Sequence, residues 1–262
     1  MTLVVTLPHS LEANVLVRAT RETVFQFFTD NDRWSAWWGP GSTIDPRPGG
    51  RVVIRHANGV EAWGEVVEVR PPTRIVFTYG YATGEPVAPG ASRVSIDLSE
   101  EAGDTRVQLM HAFDNPKVRD EHVQGWRYQL SVFANAVADA SFGGAAETVD
   151  AWFSAWSEPD AGSRERTLAR IAIPDVRFRD RFSAIEGATN VSAHFAAGQR
   201  FMPGLRLQRE GDVRHCQGVV LADWTARTPE SQVRAAGTNV FVLVADGRIE
   251  SVTGFWSRHP GQ

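Results

Sequence analysis

Two helical stripes of apolar residues lie between positions 121 and 156. Val123, Trp126, Leu130, Phe133 and Val137 recur at helical spacing, and Val149, Trp152, Phe153 and Trp156 follow at i, i+3, i+4 and i+7. Ser141-Phe142-Gly143-Gly144 separates them. A helix with one apolar stripe has to bury it against another element, and strand-like segments occur both before and after this pair. The pattern predicts an α+β protein in which each helix lies across its own curved sheet. Glycines carry no Cβ to restrict the backbone, so the pair marks the boundary between domains at 1–142 and 145–262.

In the first half, residues 12–18 form a short strand. Thr20 is placed to cap a helix carrying Val24, Phe25, Phe27 and Phe28. A polar break at Asp30-Asn31-Asp32 precedes the aromatic run Trp34-Ser35-Ala36-Trp37-Trp38-Gly39-Pro40, and Pro46-Arg47-Pro48-Gly49-Gly50 is a turn cluster. Strands are predicted over 51–57, 60–70, 74–81, 92–98 and 105–112, with Asn58-Gly59 as a tight hairpin. A long helix over about 119–140 closes the unit.

In the second half, the helix of 149–156 stops at Ser157-Glu158-Pro159-Asp160, and another over 163–171 runs up to Pro174. Residues 175–182 alternate, with Val176, Phe178 and Asp180 on one face and Arg177, Arg179 and Arg181 on the other. A helix over 188–201 ends before Pro203-Gly204. Four strands follow, over 205–215, 219–226, 233–245 and 248–257, with Gln217-Gly218 and Asp246-Gly247 as tight turns.

Composition adds limits. A chain of 262 residues with 42% hydrophobic residues and nine Trp can fill two cores. A net charge of -4, with basic residues dispersed, gives no electrostatic footprint for nucleic acid. The groups Arg164/Arg166 and Arg177/Arg179/Arg181 read as solvated faces. The single cysteine, Cys216, excludes an internal disulfide and a cysteine-rich metal site, and it reads as a buried, inert thiol. The start of the chain has neither a basic segment nor a sustained apolar run, so no signal peptide is expected. No segment approaches the ~20 apolar residues of a membrane helix. The expected setting is cytoplasmic, without membrane insertion. Nucleotide loops, the Gly-x-Ser-x-Gly elbow and His-Glu-x-x-His are missing from the sequence, and neither metal nor cofactor is expected.

Residues 10–142 resemble the helix-grip fold of the START/Bet v 1-like (SRPBCC) superfamily, and within it the AHSA1-like branch named after the activator of Hsp90 ATPase. The resemblance is carried by Val24-Phe25, the Trp34 to Pro40 run and Asp45-Pro46-Arg47-Pro48-Gly49-Gly50. It is also carried by Gly64-Glu65-Val66 before Pro71-Pro72, by Ile75-Val76-Phe77-Thr78 and by Gly125-Trp126. It implies a cavity between the gripped helix and the sheet, small-molecule binding in many members, and no invariant catalytic set. From the residues themselves, Trp37, Trp38, Trp63 and Trp126 are candidates to line such a cavity, since large flat side chains make most of an apolar binding wall. His56, Glu61, Tyr79 and His111 are polar residues in strand segments that could face it. Core packing for the former, and solvent-facing or satisfied positions for the latter, remain the alternatives.

Residues 146–256 resemble a SnoaL-like member of the NTF2-like superfamily, a cone-shaped α+β fold. The resemblance rests on Ala151-Trp152-Phe153-Ser154-Ala155-Trp156, Pro174-Asp175-Val176-Arg177-Phe178-Arg179-Asp180 with Gly187, and Pro203-Gly204. It also rests on Asp223-Trp224, Gly237-Thr238-Asn239-Val240-Phe241 and Asp246-Gly247-Arg248-Ile249. By likeness to the ketosteroid isomerases of this fold, Asp180 stands at the general-base position. Trp152 and Asn239 stand where those enzymes place an oxyanion-binding Tyr and Asp, as weaker donors. Periodicity independently puts Asp180 toward the cone interior, where a carboxylate suits proton removal next to a carbonyl. A structural carboxylate is the alternative. Trp156, Phe178, His215 and Phe241 are further candidates to line the cone, and His215 with Asp223 could form an acid–base pair.

The expected function is binding of small apolar, aromatic, polyketide-like or lipid-like molecules, with isomerase- or cyclase-like chemistry through Asp180 as an added reading. Its rivals are a binding-only protein and, from the family name, an Hsp90 co-chaperone. Val240, Val242 and Val244 lie opposite the face of Asn239, Phe241 and Leu243 and need a cover, so a homodimer through the second domain is expected.

Overall fold

The computed structural model describes residues 7–257. The chain divides into two compact units, Met1–Ala140 and Ser141–Gln262. The fold is α+β throughout, with helices set against one sheet in each unit.

The first unit runs β1 (His9–Val17), α1 (Arg21–Gln26), α2 (Asn31–Trp38), β2 (Thr43–Ile44), β3 (Arg51–Arg55), β4 (Glu61–Arg70), β5 (Arg74–Tyr79), β6 (Ser92–Glu101), β7 (Asp104–Phe113) and α3 (Pro116–Ser141). Its seven strands make one antiparallel sheet in the order β1-β7-β6-β5-β4-β3-β2. Thr20 caps α1 by accepting from the Thr23 N–H at 3.3 Å, and Asp30 caps α2 by accepting from Arg33 at 3.0 Å. The aromatic run is therefore helix α2, which turns Trp34, Trp37 and Trp38 inward together. Along α3, Trp126, Leu130, Phe133 and Val137 form the buried stripe, and Phe133 stacks on Phe28 with ring centroids 5.0 Å apart.

Gly64 shows why one motif glycine is needed. A Cβ there would lie 1.7 Å from the Thr78 carbonyl oxygen on β5, next to the place where the β4–β5 register shifts between Val66 and Glu68. Gly64→Ala must part the two strands, and we expect it to cost at least ~2 kcal/mol. A midpoint of urea unfolding unchanged from the parent would show that the strands separate freely.

The second unit runs α4 (Ala145–Ser157), α5 (Ala161–Ile171), β8 (Ala172–Arg179), β9 (Ala184–Glu186), α6 (Ala188–Phe201), β10 (Arg206–Cys216), β11 (Val219–Arg227), β12 (Val233–Leu243) and β13 (Ile249–Trp256). The sheet order is β10-β11-β12-β13-β8-β9, with β13 and β8 parallel and the other pairs antiparallel. Trp152 and Phe153 of α4, Phe195 of α6, Phe178 of β8 and Phe241 of β12 fill its centre, with the Trp152 ring 5.2 Å from Phe195 and 6.1 Å from Phe241. Gln217 and Gly218 both take positive φ in the β10–β11 turn, as a two-residue hairpin requires.

Several expectations need correction. Arg164 is not part of a solvated face: it is 4% exposed, donating to the Ser192 hydroxyl at 3.0 Å and to the Glu158 carbonyl at 2.7 Å. A cation at the C-terminal end of α4 satisfies a carbonyl that the helix leaves open. Cys216 is exposed rather than buried, because it sits at the end of β10 beside the turn. The strand expected over 175–182 runs instead over Ala172–Arg179, and Asp180 begins the turn into β9, its N–H donating to the Ser183 carbonyl at 2.9 Å.

Candidate functional site

A cavity of about 490 Å³ opens in the first unit between the end of α2, the β3–β4 turn, β5 and α3. Trp37 and Trp38 enter from α2, Tyr79 from β5 and Trp126 from α3. Their rings are mutually perpendicular or tilted: Trp38 lies 4.2 Å from Trp37 and 5.6 Å from Trp126. Such offset and edge-on contacts suit the aromatic quadrupole, and they hold the wall in place whether or not it is occupied.

The polar side of this cavity consists of hydroxyl–imidazole pairs. His122 of α3 donates from Nδ1 to the Val118 carbonyl at 2.8 Å, so its Nε2 accepts from the Tyr81 hydroxyl at 3.1 Å. The Tyr79 hydroxyl and His56 Nε2 stand 3.4 Å apart. Behind Tyr79, the Ser92 hydroxyl donates to the Tyr79 carbonyl at 2.8 Å. Ser92 Oγ therefore accepts from His111 Nε2 at 2.8 Å, which leaves His111 Nδ1 to accept the Trp126 indole N–H at 2.9 Å. These partners fix His111 as a neutral imidazole. Burial, then the neighbouring His122, push the His111 pKa well below the ordinary histidine value. Burial lowers His56 and His122 as well, and it drives the Tyr79 phenol upward, with Tyr81 adding to the shift. Burial disfavours the charged form of each group, so near neutral pH this wall carries no formal charge.

The sequence-derived candidates separate on this geometry. Trp37, Trp38, Tyr79, Trp126 and His56 line the cavity. His111 is fully buried behind the wall, with both ring nitrogens committed. Trp63 is misplaced by the expectation: alternation along β4 turns it to the outer face, 36% exposed, under the Arg51 guanidinium at 5.6 Å. Glu61 pairs with Arg55 at 3.0 Å. Tyr81, His122 and Gln129 were missed. His122 stands one helical turn before Trp126 and Tyr81 two residues after Tyr79, spacings that place each beside a residue already singled out.

In the second unit, β13 pairs with both β8 and β12 and brings Asp180 and Asn239 to either side of Gly254. A Cβ on Gly254 would lie 3.1 Å from Asn239 Oδ1 and 3.3 Å from the Asp180 Cβ. Asp180 accepts from the Phe182 N–H at 2.8 Å and from the Trp256 indole N–H at 3.3 Å. Among the described residues it forms no ion pair with an arginine. Asn239 Oδ1 accepts from the Trp224 indole N–H at 2.9 Å, which leaves its amide N–H₂ as the donor side. His194 of α6 lies 5.5 Å from the Phe178 ring, its pKa lowered by burial against the opposing pull of the Asp180 charge. Trp152, 1% exposed, packs among Phe178, Phe195 and Phe241. Phe178 and Phe241 are core rings around it, and Trp156 packs over Gly198 of α6. His215 is spent locally, its Nε2 accepting from the Gly218 N–H at 3.0 Å. Asp223 engages Thr238 and Arg214. Sequence reasoning missed His194, Trp224 and Trp256.

Residues 18–138 match the family described as activator of Hsp90 ATPase homolog 1-like protein. The first unit is an AHSA1-like domain. Among solved structures, the chain is similar to a SnoaL-like family protein from Agrobacterium tumefaciens, at 25% identity and a TM-score of 0.42, over 45% of this chain and 99% of that one. It is similar to CalU16 from Micromonospora echinospora at 26% identity and a TM-score of 0.42, over 49% of this chain and 75% of that one. It is also similar to the Aha1 dimer from Colwellia psychrerythraea, at 17% identity and a TM-score of 0.42, over 49% and 95%. A comparison with curated proteins finds no match. Among the described residues, no helix is long and apolar enough to cross a membrane.

Proposed function

We propose that this chain binds a small, flat, largely apolar molecule in the cavity of its AHSA1-like domain. The observation that carries the reading is the 490 Å³ cavity itself, walled by Trp37, Trp38, Tyr79 and Trp126. Its size falls in the range of roughly 300–1,000 Å³ that holds drug-sized ligands. Gly125 supplies a clean test. It stands at the rim on α3, and an added Cβ would meet nothing within 4 Å. Gly125→Leu should project into the mouth while raising helix stability by about 0.5–1 kcal/mol. The expected result is saturable quenching of tryptophan fluorescence by a neutral apolar dye such as Nile red, weakened at least ~10-fold in Gly125→Leu with an equal or higher melting temperature. Equal dye affinity in the two proteins would place the dye elsewhere and remove the reading.

A second reading concerns the SnoaL-like domain, favoured by the approach of Asp180 and Asn239 across Gly254. In it, Asp180 takes a proton from the carbon next to a carbonyl, and the Asn239 amide N–H₂ donates to the oxygen on which negative charge develops. Trp152 is the further N–H donor in this reading, and it packs in the core among Phe178, Phe195 and Phe241. Asp180→Asn keeps the shape and removes the base. We expect it to reduce turnover of an enolisable ketone by ~10²-fold or more with little change in melting temperature. Parent protein that fails to exchange or isomerise any such ketone would leave a binding-only domain. Co-chaperone action is the rival that the matched family's description suggests, and it would be seen as a change in Hsp90 ATP hydrolysis on adding this protein.

We further propose a homodimer through the outer face of β12, where Val240 and Val242 are half-buried within one chain. Light scattering at micromolar concentration should return twice the chain mass. A monomer mass rules this out.

A further inference from the structure

Deepening the cavity reading, and resting on it, we propose that the ligand is an uncharged planar aromatic bearing a hydroxyl group that bridges Tyr79 Oη and His56 Nε2. Three observations lead there. First, the cavity lining contains no Asp, Glu, Lys or Arg among the described residues. A carboxylate or ammonium entering it would give up its hydration without meeting an opposite charge, which is strongly unfavourable. Second, the two hydroxyl–imidazole pairs differ. The His122 pair is closed, with its Nδ1 held by Val118 at 2.8 Å and its Nε2 by Tyr81 at 3.1 Å. The Tyr79–His56 pair is stretched to 3.4 Å, beyond the usual 2.7–3.2 Å range of protein hydrogen bonds, so a third polar atom placed beside the pair can bond to both members at little cost.

Third, the polarity of that gap selects the group that enters. A phenol oxygen both donates and accepts, and a neutral imidazole Nε2 does one or the other according to its tautomer. A ligand hydroxyl, itself donor and acceptor, completes the bridge with either tautomer. A ketone oxygen completes it only if both Tyr79 and His56 donate. An unsubstituted ring leaves the gap as it is. Trp38 and Trp126 meet edge to face, with centroids 5.6 Å apart, and make one aromatic wall of the cavity, which favours a flat ring system over a flexible chain.

The test uses the full chain near pH 7.5 and three probes of one shape: 2-naphthol, naphthalene and 2-naphthoate. Dissociation constants come from quenching of tryptophan fluorescence. The proposal expects 2-naphthol to bind ~10-fold tighter than naphthalene, as two hydrogen bonds of ordinary net worth would give, and 2-naphthoate to bind weakest. In Tyr79→Phe the preference for 2-naphthol over naphthalene should shrink to about 2-fold or less while naphthalene binding persists. His56→Leu, at a less buried position, gives the same readout if Tyr79→Phe does not fold. Equal affinity for 2-naphthol and naphthalene, or a preference for 2-naphthoate, overturns the hydroxyl inference and leaves the cavity reading standing. A preference for 2-naphthol that survives both substitutions also overturns it. Saturable binding of none of the three overturns the cavity reading and this inference together.

Discussion

Replacing His111 by Ala should destabilise the first unit by at least ~3 kcal/mol, because it orphans a buried donor and opens a cavity in one step. The Trp126 indole N–H loses its acceptor at 2.9 Å and the Ser92 hydroxyl loses a donor at 2.8 Å, all in fully buried surroundings. The ring also packs against Phe113, with centroids 3.9 Å apart. Urea unfolding followed by tryptophan fluorescence measures the loss. A change below ~1 kcal/mol would mean that water or a rearranged side chain restores these bonds.

The same imidazole makes stability depend on pH with a definite sign. His56, His111 and His122 all have folded-state pKa values below the ordinary histidine value of 6.5, chiefly through burial. Below that value the unfolded chain takes up protons that the folded chain refuses, so their contribution is intact above pH 6.5 and is lost as the pH falls. The charged and titratable neighbours of His111 are His122 on α3 and Tyr79 on β5. The first raises the cost of protonation and the second stays neutral throughout. The first unit should therefore melt lower at pH 5.5 than at pH 7.5, and His111→Ala should flatten that slope. Glu210, held down to about 2 by hydrogen bonds from Thr225 and Arg227, acts in a separate window. Its contribution belongs to the second unit and is lost only as the pH drops below about 4.5. A first-unit melting temperature constant from pH 7.5 to 5.5 would contradict the neutral-imidazole network.

Periodicity made most of this architecture legible, since Trp126, Leu130, Phe133 and Val137 could only form a buried helical stripe, and Val176 with Phe178 only an inward strand face. It was weakest where two readings share one period. Trp63 alternates as regularly as Tyr79, and which face of a strand looks inward depends on its neighbours in the sheet. Asp180 lies one residue past the strand end, half-buried beside Gly254, with its carboxylate bonded to the Phe182 N–H and the Trp256 indole. His194 and Trp256 belong to a site assembled from strands and helices distant in sequence, and no local pattern singles them out. Arg164 illustrates the opposite error. A guanidinium next to another in sequence suggests solvent, yet here it is buried as the partner of an open helix-end carbonyl.

Cutting the chain at Gly143-Gly144 should give two fragments that each fold. The first core is drawn from Leu11 to Val137, and the second from buried residues between Phe142 and Val252. Each unit closes its own sheet, of seven strands in one case and six in the other. Both fragments lie near the usual domain size of about 100–150 residues, at which a single core supports cooperative folding. Helix α3 ends at Ser141 and α4 begins at Ala145, so the cut removes no helical turn from either side. Fragment 1–142 should unfold in one cooperative transition, show the same loss of stability below pH 6.5 as the parent, and quench with Nile red at the parent's affinity. Fragment 145–262 should unfold cooperatively without that dye response. A broad, non-cooperative melt of either piece would show that its core is incomplete alone. Dye binding lost from a well-folded first fragment would move the ligand site out of the AHSA1-like domain.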